Sequence, residues 1–278
     1  MSLNINFAAT FLPERVYLSK LLIFFRKNKG RNDFVELYGI DNCWSSIYVQ
    51  ISELTGIPNG KSTGKVVPHI NYLVGMGLLS KTSDWYELSA FGNVMVEEDL
   101  SFEEPLTMLV AHVMLCDKYE GSEVYHEVFS KLTTMGSILR KNLIEGLNIN
   151  NRVMSPLVGT YTDDAAFSKL RILREQDERL ILSSIKLDNH EWLPAFGAAI
   201  IHLLNTHFSG KHQISIIDFE EDTGFSACLG YAPSDTWGLI ENLASAGYLR
   251  VSALVTPPVI EAVMDEGEAW ERLYDNLV

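Results

Sequence analysis

Three carboxylates in the stretch "VEEDLSFEEPL", Asp99, Glu103 and Glu104, are the residues best suited to chemistry on a phosphodiester. Such hydrolysis commonly uses Mg²⁺ held by two or three carboxylates, which activates water and stabilises the leaving oxygen. The spacing places Asp99 in a loop and Glu103 and Glu104 at the start of a helix, with Pro105 in its first turn. Capping and the helix dipole also favour acids there, so the cluster reads either as a metal site or as a helix start. The other acid clusters are "DFEED" (Asp218, Glu220, Glu221, Asp222), which reads as solvated, and the pair Asp163 and Asp164.

The second candidate is "GIPNGKSTGK", residues 56–65, which looks at first like a phosphate-binding loop. A P-loop needs four residues between its first glycine and the Gly-Lys-Ser end. Here Gly56 and Gly60 are separated by three, and Thr55 stands where the glycine should be. Upstream, Ile47, Ile51 and Leu54 keep a helical spacing where a P-loop requires a strand. The P-loop is excluded. No nucleophile elbow, HExxH or dinucleotide fingerprint occurs elsewhere. His202, His207 and His212 fall five apart, a poor geometry for one metal-binding helix face, while His69 and His112 suit the polar edges of helical cores. Cys43, Cys116 and Cys228 are isolated and odd in number, which points to reduced thiols and no structural zinc.

The elements around the lysine loop explain it in another way. "YLSKLLIFFRKNKG" reads as a first helix with a basic end, and "DNCWSSIYVQISELTG" as a second that stops at Gly56. "STGKVVPHINYLVGMGLL" gives a third, with Pro68 tolerable only in its first turn. Two short strands and a tight turn at Ser83-Asp84 follow. Helix, turn, helix and a two-stranded wing is the winged-helix arrangement, whose third helix enters the major groove of DNA. The expected DNA face therefore comprises Lys61, Ser62, Thr63, Lys65, His69 and Asn71, together with Arg26, Lys27, Lys29 and Arg31 at the end of the first helix. Backbone N–H groups around Gly60 and Gly64 can meet a phosphate without any nucleotide-binding fold.

The same grammar recurs in "TGFSACLGYAPSDTWGLIENLASAGYLRVSALVTPPVI", without the lysines and after an acidic run, so the second copy suits packing or partner contact. Between the copies, "SKLRILREQDERLILSSI" and its neighbours read as helices, and "NINNRVMSPLVGTYTDD" as a flexible connection. The expected fold is mainly α with short β wings: two winged-helix-like ends joined by a helical middle. The boundaries are 1–96 for the basic unit, 97–212 for the middle with the acids at its start, and 213–278 for the second winged unit. Apolar residues make up 47% and charged ones 21% of 278 residues, ordinary for a globular protein. Net charge is −14, yet residues 1–83 hold nine Lys/Arg against five acids, so the remaining 195 residues carry −18. That asymmetry points the N-terminal region at an anion. No leader pattern and no apolar run long enough to span a bilayer occurs, so a cytoplasmic location is expected.

"ELTGIPNGKSTGKVVPHINYLVGMGLL", "ELSAFG" and "EDLSFEEPLTMLVAH" together resemble a family encoded beside DNA phosphorothioation and other phage-defence genes, and within it the SspB-like nicking components of single-stranded phosphorothioation systems. The resemblance covers roughly residues 7–135. The family's acidic motif usually reads Asp-Pro-Tyr-Leu-Glu-Asp-Pro before a leucine-rich helix and a histidine. Here residues 99–105 keep the acids and the final proline, His112 falls in the matching place, and the Asp-Pro start is lost. The resemblance implies a Mg²⁺-dependent DNA nickase that opens one strand so that sulfur can enter the backbone, with Asp99, Glu103 and Glu104 as catalytic metal ligands. It implies as partners a cysteine desulfurase, an ATP-pyrophosphatase-like sulfur-transfer protein and an ATPase. The basic winged unit alone equally suits a non-catalytic DNA-binding adaptor that recruits modification enzymes, or a protein-only scaffold.

Overall fold

A computed structural model describes Phe7 and residues 10–60, 64–187 and 190–277. The first winged unit follows the apolar spacing of its sequence. Helix α1 (Arg15–Lys27) buries Leu18, Leu21, Leu22 and Phe25, and carries Arg26 and Lys27 in its last turn. A short helix that the pattern did not announce, α2 (Arg31–Tyr38), comes next. Helix α3 (Trp44–Thr55) ends at Gly56, whose φ of 68° is the left-handed conformation that glycine adopts without strain. Helix α4 (Val66–Gly75) holds Pro68 in its first turn, and strands β1 (Leu79–Lys81) and β2 (Tyr86–Leu88) pair antiparallel as the wing. The Trp85 indole, buried at the tip of that hairpin, donates to the Asn28 carbonyl at 2.7 Å and fastens the wing to the end of α1.

Helices α5 (Ala90–Glu98) and α6 (Pro105–Leu115) lead inward, and every α6 residue from Leu106 to Leu115 is buried. The middle then departs from the sequence reading. Helix α7 (Glu123–Met135), strand β3 (Ser137–Leu139), helices α8 (Arg140–Leu147) and α9 (Asn151–Thr162), and strands β4 (Leu173–Gln176) and β5 (Arg179–Leu182) follow in order. The supposed flexible connection is α9. The Asn150 side chain accepts from Arg152 N at 2.9 Å, capping the helix, and Met154, Leu157, Val158 and Tyr161 enter the core at helical spacing. "SKLRILREQDERLILSSI" is a short 3₁₀ turn and a β-hairpin, where a helix was expected. Asp177 and Glu178 both take positive φ, 50° and 59°, the twist that closes a two-residue hairpin.

The C-terminal part repeats that order: α10 (Leu193–His207), β6 (Ile214–Ser215), α11 (Ile216–Thr223), α12 (Phe225–Cys228), α13 (Trp237–Ser245), β7 (Leu249–Ser252) and β8 (Val259–Ala262). Both three-stranded sheets are antiparallel and place the last strand centrally, β3-β5-β4 and β6-β8-β7. The fold is mainly α with short β wings, and the middle carries a wing of its own. Helix α14 (Glu266–Glu271) closes the chain onto the first half by stacking Trp270 on Phe91 of α5, with centroids 4.8 Å apart. One apolar core runs from Leu18 to Leu273 through α6 and α10. That core takes in α4 and α9, the helices that precede the β1–β2 and β4–β5 hairpins. Only Val67 of α4 is exposed, and α9 exposes only Asn151, Arg152, Ser155 and Thr162. Helix α13 keeps an open face of Gly238, Glu241, Asn242 and Ser245. Among the described residues, no helix is long and apolar enough to cross a membrane.

Candidate functional site

The acidic motif lies between α5 and α6, with α1 and the 3₁₀ turn at Ser168–Leu170 around it. Asp99 is 6% exposed. One carboxylate oxygen accepts the Glu103 amide at 2.8 Å and the other the Glu104 amide at 3.0 Å. The Glu104 amide belongs to the N-cap of α6 and the Glu103 amide to the residue before it, so the carboxylate steadies the entry to the helix. The loop closes over this carboxylate by placing Phe102 at φ 52° and stacking its buried ring on Phe167. Glu103 points outward into a cationic clamp. Lys169 donates to one of its oxygens and Arg15 to the other, at 2.8 Å from Arg15. The Lys169 hydrogen bond, with Arg15 beside it, holds the Glu103 carboxyl below the usual carboxylate range. Arg15 also binds the carbonyls of Phe102 (3.1 Å) and Asp164 (2.9 Å), so it ties three segments together. Glu104 occupies the N-cap position of α6 without making a side-chain cap.

The expected metal triad therefore shares one loop, but two of its members are already engaged. A Mg²⁺ ion needs hard anionic oxygens free to face it. Asp99 faces two backbone donors, and the charge of Glu103 is met by two cations, so the acids as folded do not fit that ion. Among the described residues, no group of three or more His, Cys, Asp or Glu side chains could hold a metal. His112, in the position the family resemblance singles out, is completely buried. It bridges Tyr161 OH at 2.7 Å and the Cys228 carbonyl at 2.8 Å. Burial lowers its pKa to about 4. The neutral ring donates to the carbonyl and accepts from the tyrosine, joining α6, α9 and α12.

The DNA-face candidates divide into two groups. Lys61, Ser62 and Thr63 lie outside the described residues. Lys65 sits 2.6 Å from Glu14, with its ammonium over the rings of Tyr17 (5.0 Å) and Phe11 (5.6 Å). His69 is fully buried, bonded to the Lys65 carbonyl (2.7 Å) and the Glu14 amide (3.2 Å), and burial lowers its pKa to about 4. Asn71 donates to the Phe7 carbonyl at 2.8 Å. His69 thus serves the interior and Asn71, half-buried, is tied to Phe7, a correction to their reading as surface contacts. The cause is that α4 is covered on nearly all sides. Arg26 pairs with Glu97 at 3.1 Å, and Arg31 binds Asn42 and lies over Trp44 at 4.7 Å. Lys27 and Lys29 are exposed. Arg15 and Lys169 were missed, because their roles depend on contacts 88 and 66 residues away from Glu103.

Two solved structures match nearly the whole chain. One is an SspB crystal structure with a TM-score of 0.67, and the other a magnesium ion-bound SspB crystal structure with a TM-score of 0.66. Each is 13% identical and is aligned over 99% of this chain and 88% of its own. No protein-family model and no curated protein matches this sequence. The fold is SspB-like.

Proposed function

We propose that this chain is a DNA-binding component of a phosphorothioation-type, phage-defence modification system, and that it grips the DNA backbone through the end of α1. The observation that carries the reading is the contrast among cations. Arg15, Arg26 and Lys65 are ion-paired within the chain, whereas Lys27 and Lys29 make no such pair among the described residues and project from the net-positive end of an acidic protein. Lysines left free in this way meet phosphates and release their counterions. The SspB-like fold supplies the context. A cysteine desulfurase, a sulfur-transfer protein and an ATPase are the partners that context implies.

A second reading, nicking of one strand, is favoured by the likeness to a magnesium ion-bound SspB structure. Asp99 and Glu103 do not fit the ion as they are folded, so no catalytic step is drawn through it. Supercoiled plasmid incubated with the protein and Mg²⁺, in parallel with and without a chelator, separates the two. DNA retarded on a gel but never relaxed supports the binding component. Open-circle product that disappears with chelator establishes the nickase. Absence of any retardation at low salt refutes both.

A further inference from the structure

One surface cleft, of about 310 Å³, opens between α1, α2 and the end of α3. Its lining includes Lys20, Ile23, Phe24, Lys27, Tyr38 and Leu54. Ile23, Tyr38 and Leu54 are 37%, 37% and 45% exposed, an unusual convergence of large apolar groups on one spot of a charged surface. Beneath them the Phe24 ring meets Phe34 edge-on at 5.3 Å, and Phe34 packs on Tyr38 at 4.9 Å, which gives the cleft a rigid aromatic wall. Lys20 and Lys27 lie seven residues apart on α1, two turns along one face and about 10.5 Å of helix rise. Neither pairs with a carboxylate among the described residues, although Arg15 and Arg26 on the same helix both do.

The charge in the cleft survives the helix ends around it. Helices α1 and α3 both terminate here, and each C-terminus contributes roughly half a negative charge. Two ammonium groups more than offset the pair and leave a net positive site of about one charge. An apolar, aromatic-walled pocket between two free lysines combines the two things that an unpaired nucleotide needs: a surface for its base and cations for the flanking phosphates. An acidic peptide would use the lysines, but it would need an extended groove, and this cleft is short and closed below by Phe24.

We infer that the α1–α2–α3 cleft binds one unpaired nucleotide of single-stranded DNA, its base against Tyr38, Ile23 and Leu54 and its phosphates at Lys20 and Lys27. The inference rests on the DNA-binding reading above. The test measures binding of the full chain to a fluorescent oligothymidylate and to a blunt duplex, for wild type, Leu54→Asp and Ile23→Ala. Leu54→Asp is expected to weaken oligothymidylate binding by about tenfold or more, with duplex binding within about twofold of wild type. Ile23→Ala, the milder change, is expected to give a several-fold loss in the same direction, and it decides the matter should Leu54→Asp not fold. Wild-type binding to duplex alone, or equal effects of both variants on the two DNAs, overturns the cleft and leaves the DNA-binding reading standing. Wild-type binding to neither overturns both. Displacement of the oligothymidylate by polyglutamate of equal charge assigns the cleft to an acidic chain and also overturns it.

Discussion

Replacing Asp99 by asparagine separates a structural carboxylate from a metal-binding one. The wild-type side chain, 6% exposed, gives one oxygen to the Glu103 amide at 2.8 Å and the other to the Glu104 amide at 3.0 Å. Asparagine keeps one carbonyl oxygen and puts an NH₂ group where the second stood. One buried amide then faces a donor, which costs about 1–3 kcal/mol. The surviving bond loses its ionic assistance and about half its strength. A total near 2–3 kcal/mol follows, about 3–5 °C in melting temperature for a chain of this size. Glu104→Gln, which removes no bond at the cap, is expected within about 0.5 kcal/mol of wild type. Thermal melts followed by circular dichroism, beside a plasmid assay with Mg²⁺, provide the measurement. The capping account is refuted if Asp99→Asn melts with wild type while metal-dependent nicking falls by orders of magnitude. That pair of results would show the carboxylate leaving its amides for an ion.

Three further outcomes follow from the same contacts. Lys27→Ala with Lys29→Ala should shallow the log–log salt dependence of DNA binding by roughly two, whereas Lys65→Ala should leave it unchanged and lower stability instead, because Lys65 is held by Glu14. Anisotropy titrations at several salt concentrations would expose the reverse. Stability should fall on acidification, because burial depresses His69 and His112 from 6.5 to about 4: the unfolded chain takes up protons first, and stability that is full above pH 6.5 is lost as pH drops through about 4. Each histidine contributes up to about 1.4 kcal/mol per pH unit in that window, so His112→Asn should flatten the urea-midpoint profile; an unaltered profile rejects the buried-neutral assignment. Arg15→Ala should cost about 2–4 kcal/mol in chemical denaturation, since it leaves the carbonyls of Phe102 and Asp164 without that donor, whereas Lys169→Ala, at an exposed pair, should cost under about 1 kcal/mol. Equal costs for these two would mean that Arg15 does not tie the segments together.

What the sequence made legible was local. The apolar spacing of α1, α3 and α4, with Gly56 and Pro68 as punctuation, placed those helices and the β1–β2 hairpin after them. The recurring helix–strand grammar did the same for α13 and β7. The middle winged unit escaped for two reasons of the same kind. Helix α9 looks like a linker because it holds proline, glycine and several polar residues, yet Met154, Leu157, Val158 and Tyr161 keep the helical period and Asn150 caps the start. The β4–β5 hairpin turns at Asp177-Glu178 without the glycine that usually marks such a turn. At the candidate site the residue types were legible and their engagements were not. Glu14 and Lys65 lie 51 residues apart, and Glu103 and Lys169 lie 66 apart, so neither pairing leaves a trace in spacing.

The burial of the third helices changes how DNA could be held. A winged helix reads sequence by laying an exposed helix against base edges, where bidentate side-chain contacts discriminate. Helix α4 exposes only Val67, and α9 only Asn151, Arg152, Ser155 and Thr162, because both have been drawn into the core shared with α6 and α7. The Tyr72, Tyr125 and Thr160 hydroxyls, at 3.1 and 2.8 Å from one another in sequence, fix the two helices on either side of α7. Helix α13 keeps an open face, but its exposed charged residue there is Glu241. No third helix is both open and basic. On the proposed reading, duplex DNA is therefore met by the flank of the first unit, where lysines reach phosphates and no helix reaches paired bases, and binding of that kind is strong in charge and indifferent to sequence.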